Sequence, residues 1–270
     1  MLSLSIILTI LAFIAYLTGF LYLLKHFMDK SHSNPFLVWA SLLTGLILHA
    51  FTLGLDMITP IGINYDVFNL ISFTSGLMLL LSIIFSMYRP VLILNLLATP
   101  MAMLGLLVGD VLNTPNHVIR EQNIAMDIHI ILSLSAYAIL FMATIHAILI
   151  WLQNRELKKK QRHRIWVNLL PSLQTMESLL FDLILIGFVL LSAALTFGFC
   201  TIDDFFAQHL AHKTVLSVIS WLIYGSLLLG HWKFGWRGKK ATLFTLFGFS
   251  LLVLGFIGSK FVLEIILMRV

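Results

Sequence analysis

Ten histidines lie along this 270-residue chain, and five fall inside or at the edge of long apolar runs: His49, His129, His146, His212 and His231. A neutral imidazole offers a lone pair from one ring nitrogen while the other donates a proton, and it is a common ligand of haem iron. Inside an apolar span an ionisable ring is costly, so it turns toward a bundle interior, a partner or a cavity. A histidine near a span end is equally well read as a satisfied interfacial residue, and His146 and His212 carry that alternative. His26, His32 and His163 stand among lysines in the loops, and His117 and His209 stand in polar stretches. Solvated loop histidines are the simpler reading there.

Depth separates the five. With ~1.5 Å of rise per helical residue, His129 lies in the first turn of its run and His212 opens another run on the same side. His49 sits in the outer third of a third run. Three imidazoles thus approach one level. His231 ends its run at the opposite face, and His146 lies about two turns above the end of its run on that face. Two imidazoles on facing helices suit haem, whereas zinc more commonly adds cysteine or carboxylate ligands. Asp127, beside His129, is a supporting partner or weak third ligand in a metal site of that second kind. The expected set is therefore His129, His49 and His212 as candidate ligands of haem iron. His231 is a candidate for a second site at the other face. Trp221 and Tyr224 offer aromatic walls in mid-run, while the interfacial aromatic belt accounts for Trp232 and Trp236. Arg237 and Lys239 suit haem propionates, and a positively charged membrane face explains them as well. No nucleophile–base pair, phosphate loop or carboxylate dyad stands out, so the sequence points to binding rather than catalysis.

The elements that hold these residues follow from composition. The chain is 60% hydrophobic and 11% charged, with mean hydropathy +1.00, a balance that no soluble domain of this length keeps in solution. Apolar runs of membrane-crossing length recur at about 2–24, 36–57, 67–87, 91–109, 126–152, 178–199, 213–232 and 241–266. They are continuous rather than alternating, which excludes a β-barrel. The expected fold is an all-α, polytopic transmembrane helical bundle of about eight spans, one integral membrane domain over 1–270. The first run is long for a signal peptide and lacks a basic leader, so it reads as a retained helix. Cys200 is the single cysteine, which excludes an internal disulfide and a paired-cysteine metal or redox site.

The loops set the orientation. Lys25 and Lys30, Arg89, the series Arg155, Lys158, Lys159, Lys160, Arg162 and Arg164, and then Lys233, Arg237, Lys239 and Lys240 fall on one side. Asp56, Asp66, Asp110, Glu121, Asp127, Asp203 and Asp204 fall in the alternate loops, together with Arg120. The basic side is expected to be cytoplasmic, which puts both termini outside. The net charge of +5 is then explained by orientation and lipid contact rather than by nucleic acid. The polar stretch 113–123 has room for a short surface helix or lid, and 157–175 reads as an amphipathic segment along the interface.

Several of these residues together resemble a known family. The series Asp127, His129, Ser133, Ser135 and Tyr137 resembles a helix of the cytochrome c assembly family, the CcsA, CcmC and HemX-like proteins. Lys213, Thr214, Trp221, Tyr224 and His231, followed by Gly235-Trp236-Arg237-Gly238-Lys239-Lys240-Ala241, resemble its penultimate helix and the turn after it. Gly248-Phe249 and Phe256-Ile-Gly258 resemble its last helix. The likeness covers chiefly 125–266 and is nearest the short YpjD or HemX-like branch. It implies b-type haem as cofactor, His129 as an outer ligand, His231 as an inner-side one, and a bacterial inner membrane location. It also implies partners among cytochrome assembly or tetrapyrrole-pathway proteins. The loop matching the family's tryptophan-rich outer motif, 198–212, has no tryptophan, and no histidine follows the last span. The expected role is to bind or pass haem between helices without attaching it covalently. A b-type electron-transfer or quinone oxidoreductase subunit, and a ligand-free assembly or regulatory protein, are the alternatives.

The orientation can be tested directly. In a Cys200→Ser background, single cysteines placed in 155–164 and 233–240 are expected to be protected from a membrane-impermeant thiol reagent in intact cells. Labelling there from outside would reverse the faces of every site above.

Overall fold

The structure, a computed structural model, describes residues 4–29, 35–59, 62–88, 92–112, 118–119, 124–159, 170–201 and 208–255. A segment in hydrocarbon must satisfy its backbone internally, and the apolar runs do so as helices. These are α1 (Leu4–Asp29), α2 (Pro35–Met57), α3 (Val67–Tyr88), α4 (Ile93–Leu112), α5 (Ile124–Lys158), α6 (Leu173–Thr201), α7 (Gln208–Phe234) and α8 (Lys239–Val253). Seven of these described helices, α1 to α7, are long and apolar enough to cross a membrane. The run expected over 241–266 is described only through 255, within and just beyond α8. Several helices outlast their apolar runs. α5 continues six residues past the expected end at 152, because Gln, Arg, Glu and Lys are good helix formers even where hydropathy falls.

Polarity is arranged inside out relative to a soluble protein. Leu4, Ile7, Ile10, Leu11, Ile14 and Leu21 of α1 are exposed, while His49, Thr52, Asn69, Ser72, Ser82, Asn95 and Thr99 are buried. Lipid tails are as apolar as leucine, so helices gain little by hiding leucine from them. Close packing and hydrogen bonds between helices do the holding.

The chain has two compact units, 1–123 and 124–270, within the span that the sequence reading treats as one domain. Each unit has its own buried core and its own set of interhelical ties. In the first, α1 packs on α2 and α4, and α3 on α2 and α4. Tyr16 Oη of α1 lies 3.1 Å from His49 Nδ1 of α2, and His49 Nε2 lies 2.9 Å from Ser72 Oγ of α3. Ser5 donates to Asp110 of α4 at 2.8 Å and reaches Asp56 of α2 at 3.3 Å. Ser82, Asn95 and Ser86 form a third tie between α3 and α4. β1 (Ile58–Thr59), β2 (Gly62–Asn64) and β3 (Val118–Ile119) pair antiparallel in that order. The stretch expected to carry a short helix or lid thus contributes a strand at 118–119. Its valine–isoleucine pair suits an extended backbone, and β2 offers a partner edge. The rest of 113–123 lies outside the described residues, as do residues 160–169 of the expected amphipathic segment.

In the second unit α5 packs on α6 and α8, and α7 on α6 and α8. Here the ties run mostly from a side chain on one helix to a backbone carbonyl on another. Tyr137 of α5 donates to Leu252 O of α8 at 3.2 Å, and Ser220 of α7 donates to Gly248 O of α8 at 2.8 Å.

Close approach of α3 and α4 depends on Gly105 and Gly109, spaced four apart on one face. A Cβ at Gly109 would lie 2.7 Å from Ser72 Cβ. Gly109→Leu is expected to lower unfolding stability by about 1–3 kcal/mol, read as an earlier midpoint in a detergent-denaturation titration. Val111→Leu, exposed on the same helix, should leave the midpoint unchanged. Equal midpoints for the two variants would contradict this packing.

Candidate functional site

His129 stands in the second turn of α5, against α6. Its Nδ1 lies 2.8 Å from Ala194 O. A carbonyl only accepts, so Nδ1 carries the proton, and the neutral ring keeps its lone pair on Nε2. Gly198 is one helical turn beyond Ala194 on the same face. A Cβ there would come within 2.9 Å of His129 Cε1. The small side chain at 194 and its absence at 198 are what let the ring reach the α6 backbone.

His231 repeats the arrangement near the carboxyl end of α7. Its Nδ1 lies 2.9 Å from Trp236 O, so its neutral ring also leaves the lone pair on Nε2. The chain leaves α7 through Gly235 at φ 64, with Gly235 N–H bonded to His231 O at 3.0 Å and Trp236 N–H to Gly230 O at 3.2 Å. That left-handed cap folds the Trp236 carbonyl back to the ring. Phe181 of α6 stacks on it, with centroids 3.5 Å apart and planes 16° off parallel.

His146, fully buried in α5, has the opposite tautomer. Its Nε2 donates to Met176 O at 2.9 Å, and its Nδ1 has no hydrogen-bond partner among the described residues. His49 belongs to the first unit, and both of its ring nitrogens are engaged, by Tyr16 and Ser72. As placed, it can take a metal only by giving up one of them. His212 is on α7 in the second unit, and its side chain lies outside the described residues. Trp221 donates to Ser192 Oγ at 2.7 Å and stacks on Phe188 at 5.5 Å. Tyr224 is fully buried and donates to Thr245 O of α8 at 3.3 Å. Both aromatic rings, expected as walls of a porphyrin slot, are thus engaged in packing α7 on its neighbours. Arg237 is exposed in the turn between α7 and α8.

α6 serves as a ruler for depth. His129 meets it at Ala194, His231 at Phe181 and His146 at Met176. At ~1.5 Å per residue, the first two levels are roughly 20 Å apart, too far for one iron. They are two separate positions, each with a backbone-oriented imidazole. The donor chemistry fits haem iron, because a ligating histidine characteristically donates its other N–H to a carbonyl or carboxylate, which fixes ring and tautomer. Among the described residues no three His, Cys, Asp or Glu side chains gather as a metal site.

Sequence reasoning missed the partners that set these rings: the Ala194 carbonyl, Gly198, Phe181, Tyr16 and Ser72. A backbone acceptor leaves no trace in residue type. The small-residue series Ser192-Ala193-Ala194 with Gly198 is the available signal, since small residues mark close helix contacts in membranes.

The profile of the family described as Cytochrome C assembly protein matches residues 4–267. The chain is 29% identical to the inner membrane protein YpjD of Escherichia coli strain K12 over 267 residues, covering 95% of this chain and 98% of that one. It is 33% identical over 157 residues to an uncharacterized 28.8 kDa protein in the nifR3-like 5′ region of Azospirillum brasilense, covering 57% and 58%. No solved structure matches the chain.

The His129 contact has its own test. Gly198→Leu should push the ring off Ala194 and lower unfolding stability by about 1–3 kcal/mol, with Gly198→Ala costing less. Phe199→Leu, exposed at the next position, is the control. If Gly198→Leu unfolds at the wild-type midpoint, the close approach of ring and helix is wrong.

Proposed function

The chain belongs to the cytochrome c assembly protein family, and from that membership we propose that it binds and passes haem in its second unit without attaching it covalently. The Escherichia coli relative is an inner membrane protein, and this chain, with seven described helices able to cross a membrane, is a multi-pass protein of that membrane. The observation that carries the reading is the His129–Ala194 hydrogen bond. It spends the Nδ1 proton on the protein and holds the Nε2 lone pair ready for a metal. His212, in the same unit, is proposed as the opposing ligand, because His49 already has both nitrogens bonded. Haem, when bound, supplies the iron and its redox chemistry. The chain's contribution is to hold and orient the imidazoles and to surround them with apolar helix faces. The absence of tryptophan from 198–212 supports handling rather than covalent attachment.

A second reading has one observation in its favour. His231 repeats the carbonyl-oriented ring at a separate level, as two stacked b-type haems of an electron-transfer subunit would require. Redox titration showing two midpoints, together with quinol turnover, would select it.

Haem titration of the detergent-purified protein, read at the Soret band, tests the main reading. His129→Ala is expected to weaken haem affinity by at least about tenfold while the protein still inserts. His212→Ala should also weaken it. His49→Ala should keep the band and lower stability, and His163→Ala should change neither. A wild type that binds no haem at any loading, or variants that all bind as wild type does, would leave the ligand-free assembly role in its place.

A further inference from the structure

The second unit has a cavity of about 360 Å³ at the end that carries the basic residues. One wall is the end of α5 and the residue after it, with Arg155, Lys158 and Lys159, and the other is the start of α8, with Lys239. Four cations from segments some eighty residues apart in sequence thus line one space. A positively charged membrane face accounts for their sign, but not for their convergence from two helices around a single cavity. None of the four makes an ion pair among the described residues. Glu177 is one nearby acid, with Oε1 3.7 Å from where a Gly238 Cβ would lie, and Glu156 is buried on α5 directly after Arg155.

Two further features favour an anion. Gly238 caps α8 at φ 60 without a side-chain hydrogen bond, and the first helical bond beyond it is Thr242 N–H to Gly238 O at 3.0 Å. The preceding N–H groups of that turn therefore have no helical acceptor. Their partial positive charge adds to that of Lys239. Asn154 supplies a neutral polar wall.

The remaining wall indicates what bears the charge. Ile150 and Trp151 line the cavity on the side where α5 passes from apolar to charged residues, and Trp151 is 45% exposed with Arg155 at 5.6 Å over its ring. Such a border of aromatic and cationic side chains is that of a membrane–water interface. We propose that this cavity binds a phosphate group, supplied by an anionic phospholipid whose acyl chains run along the exposed ring of Trp151. The site is independent of the haem reading, and its ligand is assayed without haem.

The test is native mass spectrometry of the full-length protein in detergent, offered phosphatidylglycerol, phosphatidylcholine or inorganic phosphate. Wild type is expected to retain phosphatidylglycerol over phosphatidylcholine, and Lys158→Gln/Lys239→Gln should reduce that retention about tenfold. Lys233→Gln, an exposed cation outside the cavity, should retain it as wild type does. Circular dichroism of each variant confirms the fold. Displacement of the lipid by millimolar inorganic phosphate would assign the site to a soluble phosphate, and resistance to displacement would assign it to the lipid. Wild type retaining neither ligand, the double variant binding as wild type, or Lys233→Gln losing as much as the double variant would each overturn the proposal.

Discussion

A carbonyl inside an α-helix spends one lone pair on the N–H four residues ahead and has a second left over. The second unit is organised around that spare acceptor. His129 and His146 of α5 reach carbonyls of α6, Tyr137 of α5 reaches α8, and Ser220 and Tyr224 of α7 reach α8. Hydrocarbon itself offers these side chains no partner, so burying each one requires a hydrogen-bonding group on a neighbouring helix, which here is a backbone carbonyl. Helix spacing, ring orientation and tautomer are settled by the same bonds.

The first unit meets the same constraint differently. Its polar side chains pair with one another, in Tyr16–His49–Ser72, in Ser5 with Asp56 and Asp110, and in Ser82–Asn95–Ser86. A ring held at both nitrogens is a strut, whereas a ring held at one has chemistry to spare. By that criterion His129 and His231 differ from His49, although all three are single imidazoles near or within apolar helices.

The helices were legible because a membrane segment announces itself by length and hydropathy, and α2 and α3 begin and end within a residue of the expected limits. The ends of α5 were less so, since charged residues lengthen a helix without lengthening its apolar run. The strand at Val118–Ile119 could not be read locally, because its pairing partner is β2, more than fifty residues earlier. The histidines were legible as candidates from type and depth. Which of their nitrogens are occupied was not, because that depends on carbonyls whose identity no residue letter records. Trp221, read as a possible cofactor wall, has a hydroxyl partner in Ser192 and a stacking partner in Phe188. Both lie on α6, about thirty residues earlier.

The backbone acceptor at residue 194 has an evolutionary side. Every amino acid carries a carbonyl, so replacement at Ala194 leaves the acceptor in place and is filtered by bulk and by the cost of burying polarity. Heritable fragility is displaced one turn along, to Gly198, where any side chain intrudes on the imidazole. Lineages could therefore exchange small apolar residues at the position that orients His129 while remaining bound in the size of its neighbour. A comparison of sequences that looks for a preserved partner would overlook such a tether, and one that looks for a preserved vacancy would find it.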